Sequence, residues 1–409
     1  MQRASRFADH WSAVASTLRR SVDLERTARD HKALQRRRGI RSAEELLRLA
    51  LGYGPGGLSL RTAAAWAEMS GIASLSDVAL LNRLRGAADW LCAIVDRLLT
   101  IDRAAFQHNQ SRSIRLLDAT SISKPGSSGT DWRLHVSYDL STSSFNGFEL
   151  TDVHGGETFD RFPLSANDIV IGDRAYARRT GLRSARDAGA DFIVRAGWKS
   201  QRLLDSNRRV IDLAAALHHA SLHGISDQLV IIDERTSDLP GIPARLIVLP
   251  KTAAQADRSR KRLARRNSKK GYAVPAAMTV ASADYLILLT SLERETYPAE
   301  QVLSFYRLRW QVELAFKRLK SLLHIGRLPA KDRDLARSWL ATHLIVALLI
   351  DARTRKVLDS SPSATGYAAR AISLENPQDL ARRFADGHLR CIQPRSSDAE
   401  QRCLRATSL

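Results

Sequence analysis

Two short apolar segments that each run into an aspartate do most to limit how this chain can fold. They are Ser113-Ile114-Arg115-Leu116-Leu117-Asp118 and Asp168-Ile169-Val170-Ile171-Gly172-Asp173. Apolar runs this short, bounded by polar residues, read as strands. An acid that closes such a strand emerges at a sheet edge, exposed to a cleft. Trp132 to Leu140 and Phe145 to Val153 read as two further strands, joined by a Ser-rich turn region bearing Asn146-Gly147. A helix from about Ala177 to Ala188 and a strand from Asp191 to Arg195 follow. Three consecutive strands, then alternating helix and strand, predict an α/β fold with a mixed sheet flanked by helices.

The residues on either side divide the chain further. Residues 1–108 read as an all-helical domain. Ser42-Ala43-Glu44-Glu45 is a capping-box pattern, and Gly52 to Gly57 breaks the chain after it. Ser59 opens a helix through Met69, Ser70-Gly71 a turn, and Ser76 with Asp77 a second helix towards Arg85. Such a pair suggests a DNA-binding helix-turn-helix, although any small helical bundle gives the same pattern. Residues 109–197 form the first part of the α/β core and 291–358 the second. Between them, 198–290 reads as a β-rich insertion with strands at Val230–Ile232, Ala244–Leu249 and Tyr285–Leu289. Residues 359–409 are a polar tail.

Charge narrows the partner. The chain carries 63 Lys+Arg against 43 Asp+Glu, a formal net charge of +20. A protein this basic is suited to a polyanion, because neutralising phosphates releases condensed counterions. The densest run, Arg258 to Lys270 in the insertion, holds eight basic residues and no acid and predicts a helix and loop. Like charges so close repel one another, and a phosphate backbone would relieve that repulsion; the plainer reading is a solvated face. Arg260, Lys261, Arg262, Arg265 and Arg266 are the candidate contacts. If about ten phosphates are contacted, affinity should fall with salt at a log-log slope near −9.

Three cysteines, none at zinc-ligand spacing, argue against a disulfide scaffold and for a reducing compartment. The first residues lack the apolar core of a signal peptide. The longest apolar run, Trp339 to Ile350, is about half a membrane span and carries His343. It predicts a helix buried against the sheet, in a cytoplasmic protein that meets no membrane.

Tyr306 to Lys320 contains no Gly or Pro and reads as a helix. Tyr306, Arg309, Glu313 and Lys320 fall within roughly 60° of one another on the wheel. Phe305, Leu308, Val312, Phe316, Leu319 and Leu323 form the apolar stripe beside them. Alone, a carboxylate among cations is either a metal and phosphate grip or a salt-bridged face. Together with Asp118 and Asp173, Glu313 makes a set of hard oxygen ligands suited to Mg²⁺. Two ions about 4 Å apart in such a site can serve an in-line phosphoryl displacement.

The spacing Tyr306-x2-Arg309-x3-Glu313-x6-Lys320 resembles the signature of the IS-four family of bacterial insertion-sequence transposases, at all four positions. Leu117-Asp118-Ala119-Thr120 resembles the region of that family's first catalytic acid. Ile171-Gly172-Asp173-Arg174-Ala175-Tyr176 resembles the second, with Ala175 where Gly is common, and Phe192-Ile193-Val194-Arg195 the strand after it. The resemblance spans roughly residues 40 to 350. It implies a ribonuclease-H-like core interrupted by a β-rich insertion, and Asp118, Asp173 and Glu313 as a metal-binding DDE triad. The metal would be two Mg²⁺ ions, with Mn²⁺ able to substitute. Tyr306, Arg309 and Lys320 would hold DNA phosphates near the scissile bond, with Arg195 as a further contact. The implied partner is double-stranded DNA, bound by a homodimer that pairs two element ends. Some relatives excise through a hairpin with a flipped base held by an aromatic residue; Trp198 and Tyr272 are candidates, though neither sits in a matching motif. The implied activity is cleavage at inverted-repeat ends and transfer of the 3′-hydroxyl into target DNA. A nuclease without strand transfer, or a silent DNA-binding descendant, are the alternatives.

Overall fold

The described strands form one sheet in the order β3-β2-β1-β4-β5-β9-β8-β7-β6. They are β1 (Ser113–Ile122), β2 (Trp132–Asp139), β3 (Ser144–Asp152), β4 (Asp168–Gly172), β5 (Asp191–Arg195), β6 (Leu203–Leu204), β7 (Ser226–Ile232), β8 (Ile242–Pro250) and β9 (Tyr285–Thr290). This is a computed structural model, and it describes residues 11, 14–106, 112–127, 129–141, 144–233, 239–270, 275–310 and 328–359. β4 lies parallel to β1 and to β5; the other neighbours pair antiparallel. The mixed sheet expected from the sequence is therefore present, and Asp191–Arg195 has the bounds read from its residues.

Alternation along the strands puts apolar side chains on both faces, so each face needs a cover. On one face Leu116, Ile169, Ile171 and Ile193 join a cluster with Val302 and Leu303 of the Ala299–Arg307 helix and with Leu340 and Leu344 of the Arg333–Asp359 helix. The same cluster takes in Leu46, Leu80 and Trp90 from the first hundred residues. On the other face Leu117, Val170, Phe192 and Val194 pack with Leu182 of the Arg179–Asp187 helix and Leu217 of the Leu213–His223 helix. The apolar run at Trp339 is thus buried, in a cluster it shares with the amino-terminal helices as well as the sheet; just before it, Ser338 Oγ donates to the Leu84 carbonyl at 2.5 Å. No described helix is long and apolar enough to cross a membrane.

The amino-terminal helices start at the residues whose chemistry predicts it. Ser42, Ser59 and Ser76 each accept a hydrogen bond from the backbone N–H three residues on, at 3.1 Å, satisfying a donor the helix itself leaves open. The two helices of the suggested helix-turn-helix are Leu60–Met69 and Asp77–Gly86. Both basic residues of the second are engaged within the protein. Arg83 donates to the carbonyls of Arg36 and Arg38, and Arg85 pairs with Asp332 at 2.8 Å.

The structure departs from the sequence reading in four places. β1 does not stop at Asp118 but runs to Ile122, because β2 goes on pairing with it after β4 has left. The strands of 198–290 do not stand apart: β9 bonds directly to β5, and β8, β7 and β6 extend the same sheet. The basic run is one helix, Ala253–Lys270, rather than a helix and loop. The helix holding Tyr306 ends at Arg307, and the N–H groups of Leu308 and Arg309 bond three residues back, in a tighter turn.

Candidate active site

The parallel pairing of β1 with β4 matches Leu116 to Ile171, and that of β4 with β5 matches Gly172 to Val194. Continuing each register puts Asp118 opposite Asp173, and Asp173 opposite Arg195. The two acids and the arginine therefore meet at the end where β4 stops. A buried ion pair fixes this register. Arg115 Nη1 donates to Asp168 Oδ2 at 2.8 Å and to the Pro163 carbonyl at 2.7 Å, while its other nitrogens reach Ser137 Oγ. Arg115 lies in β1 three residues before Asp118, and Asp168 opens β4, the strand that Asp173 follows.

Asp118 shares a face with Leu116, the face covered by the Ala299–Arg307 helix. Its Oδ1 accepts from the Ala119 N–H at 2.8 Å, and its Oδ2 lies 3.6 Å from Arg309 Nη1. Burial nevertheless pushes its carboxyl up to about 6, helped by the charges of Asp173 and Glu157 and opposed by the Ala119 N–H and Arg309. Desolvation outweighs the ion pair. Asp173 caps a short 3₁₀ turn, Arg174–Tyr176, by accepting from the Ala175 N–H at 2.7 Å.

Cations surround the acids. Burial raises the Tyr306 hydroxyl, which Arg309 and Arg195 lower and Asp173 raises further. The Arg174 guanidinium is lowered by burial and by the nearby charges of Arg195 and Arg266. Lys251, just past β8, is pulled down to about 8 by burial and by Arg195, with Asp284 acting in the opposite direction. Thus Arg309 faces Asp118 and Arg174 follows Asp173, while Arg195, Lys251 and Arg266 lie within electrostatic reach of Arg174, a field that attracts phosphate.

Of the residues singled out from the sequence, the structure brings together Asp118, Asp173, Tyr306, Arg309 and Arg195. Glu313 and Lys320 lie outside the described residues, as does Tyr272. On the Ala253–Lys270 helix, Ala256, Ser259, Leu263 and Asn267 turn inward, while Lys261, Arg262, Arg265 and Arg266 are exposed. Arg260 is exposed as well, but it is paired with Asp284 at 2.7 Å and with Asp257, which is not the disposition of a cation waiting for phosphate. Trp198 donates its indole N–H to Thr279 Oγ1 at 3.0 Å, with Lys199 over its ring.

The sequence reading missed Glu157, Arg174, Lys251 and Tyr176. Arg174 and Tyr176 stand inside the segment around Asp173 and could have been taken from it. Glu157 carries only a faint signal, an acid after Gly155-Gly156. Oxygen donors of this kind suit a hard divalent cation. The fit has local support in two largely buried carboxyls, Asp118 and Glu157, and a buried Tyr176 hydroxyl that has no partner among the described residues. Among the described residues no three acid, imidazole or thiol groups form a ready-made metal site.

A match to the transposase DDE domain covers residues 109–349. The transposase for insertion sequence element IS421 of Escherichia coli is 42% identical over 362 residues, 88% of this chain and 97% of the relative. InsL of insertion sequence element IS186A, from Escherichia coli strain K12, is 42% identical over 361 residues with the same coverage. The transposase for IS231B of Bacillus thuringiensis subsp. berliner is 27% identical over 255 residues, 55% of this chain and 52% of the relative. The matched domain is that of the DDE enzymes, a class that works with a divalent metal on DNA. The chain belongs to the DDE transposases of insertion sequences, in the IS-four family.

Proposed function

We propose that the chain cuts DNA at the inverted-repeat ends of its own insertion sequence and joins the freed 3′-hydroxyl to target DNA. The observation that carries this reading is the matched register of Asp118 and Asp173, ringed by Arg195, Arg309 and Tyr306. The strand order β3-β2-β1-β4-β5 supports a ribonuclease-H-like core, with β6, β7 and β8 as the insertion.

Asp118, Asp173 and Glu313 are assigned to two Mg²⁺ ions, replaceable by Mn²⁺. Bound there, the ions would stabilise charge developing on the attacking and leaving oxygens. The protein's own groups hold the substrate. Arg309 lies 3.6 Å from Asp118 in the free protein and would be released towards a phosphate oxygen if that carboxylate held a cation. Tyr306, Lys320 and Arg195 grip phosphates beside the scissile bond. Arg174 and Lys251 add charge from the far side, and Lys261, Arg262, Arg265 and Arg266 follow the backbone outward. Two copies would pair two ends in a synaptic complex, in the cytoplasm.

The test is Mg²⁺-dependent 3′-strand nicking and joining on a duplex bearing the element's end. Asp118→Asn, Asp173→Asn and Glu313→Gln should each lower both steps about a thousandfold or more, since several kcal/mol of transition-state stabilisation goes with each ligand. Variants that cleave like the parent sink the triad assignment. Cut ends without joined product would make the chain a nuclease instead.

A further inference from the structure

Glu157 is not part of the triad, yet the fold takes unusual care over its position. It sits on the segment between β3 and β4, after two glycines. A Cβ on Gly155 would lie 2.0 Å from Thr151 Oγ1, and one on Gly156 would lie 2.7 Å from Arg178 Nη1. Arg133 Nη1 donates to the Gly155 carbonyl at 2.6 Å, and Arg161 Nε to the Gly156 carbonyl at 2.5 Å. Arg133 Nε also lies 3.7 Å from Glu157 Oε1, and Arg161 is itself held by Glu149 at 2.8 Å. An exposed surface acid needs no such clamp. Here it carries a four-fifths-buried carboxylate within electrostatic reach of Asp118 and Asp173.

A second observation points to a ligand at this spot. The Tyr176 side chain is fully buried, and among the described residues its hydroxyl has no hydrogen-bond partner. The charges it feels most are those of Asp118, Glu157 and Asp173. A buried hydroxyl without a partner costs about 1–3 kcal/mol. It is therefore a donor waiting for an acceptor among these acids. Three carboxylates this near one another repel unless positive charge joins them.

We propose that Glu157 is a positioning residue for the divalent cation held at Asp118 and Asp173. Its carboxylate stands outside the ligand set, where it would accept hydrogen bonds from the waters that Mg²⁺ retains. This is consistent with the absence of a ready-made three-ligand site among the described residues. The inference rests on the reading of Asp118 as a ligand, and its test separates the two.

The experiment is calorimetric titration of the full chain with Mn²⁺, without DNA, alongside thermal unfolding in EDTA and in Mn²⁺. Glu157→Gln should weaken Mn²⁺ binding on the order of tenfold. In EDTA it should unfold no earlier than the parent, because a like charge beside two others is gone. Glu157→Asp, which keeps the charge on a shorter arm, should recover part of the affinity and covers the case in which the amide fails to fold. Asp118→Asn should abolish binding. A Glu157→Gln affinity within threefold of the parent overturns the inference while leaving the Asp118 reading intact. So does a loss of stability in EDTA with unchanged affinity, which would make Glu157 only Arg133's ion-pair partner. If Asp118→Asn also binds Mn²⁺ normally, or the parent binds none, both readings fail together.

Discussion

Asp118 is a residue whose local energetics oppose its own charge. Its carboxyl titrates at about 6 in the folded protein against 3.8 as an ordinary aspartate, so between those values the folded state binds more protons than the unfolded chain. Stability of the metal-free protein therefore falls as pH rises through that window, and the whole penalty stands above 6. Two units correspond to about 3 kcal/mol. Asp118→Asn should thus stabilise the chain in EDTA at pH 7 by up to about that amount, with the advantage vanishing below pH 4. Urea midpoints across that range measure it. An asparagine variant less stable than the parent at pH 7 would mean Arg309 contributes more than burial costs. An acid kept at such cost fits a group that a cation completes.

The identity of that acid was legible, because an aspartate after an apolar run is a local pattern. Its geometry was not. β1 continues past Asp118 through pairing with β2, and strand pairing leaves no mark on the five residues around it. Glu157 was missed for a similar reason. What makes it matter is the approach of Asp118 and Asp173 from other strands, while its own neighbours look like any Gly-rich turn.

At the scale of elements, the caps at Ser42, Ser59 and Ser76 and most strand positions could be read directly, since capping and alternation act within a few residues. The turn at Leu308–Arg309 could not, as no Gly or Pro announces it. The basic helix shows how far composition reaches. Its sequence marks all eight cations alike, whereas the fold sorts them. Arg260, Lys261, Arg262 and Arg265 are all exposed, but Arg260 is tied to Asp257 and Asp284, while no acid of the described residues pairs with the other three. Replacing those three with Ala should make the salt dependence of DNA affinity shallower by about 3 in log-log slope, at about 0.9 per phosphate. Arg260→Ala should leave the slope alone. Fluorescence titrations at several salt concentrations decide it, and equal effects of Arg260 and the other three would contradict the sorting.

For the molecule as a whole, the sequence suggests a core with an inserted block, and the structure has one continuous sheet. The decisive tie is Arg245 on β8, which is almost fully buried. It donates to Asp227 on β7 at 2.6 and 3.2 Å and to the carbonyls of Leu292 and Tyr297 at 3.0 and 2.8 Å. Those carbonyls lie on the segment leading from β9 into the Ala299–Arg307 helix, whose end carries Tyr306 and, one turn on, Arg309. An insertion strand thus anchors the element that faces Asp118. Removing one partner from such a buried pair costs about 3 kcal/mol, because the two carbonyls lose a donor and Asp227 is left with Arg294 at 3.3 Å. Arg245→Ala should lower the unfolding midpoint in a single transition, seen alike by circular dichroism and by tryptophan fluorescence. It should also weaken DNA cleavage although it touches no substrate. If the insertion were an independent body, the same change would split unfolding into two steps and leave the cleavage rate intact. A split transition would return the insertion to the status of a separate domain, whereas a single one makes the sheet from β3 to β6 the unit that holds the site.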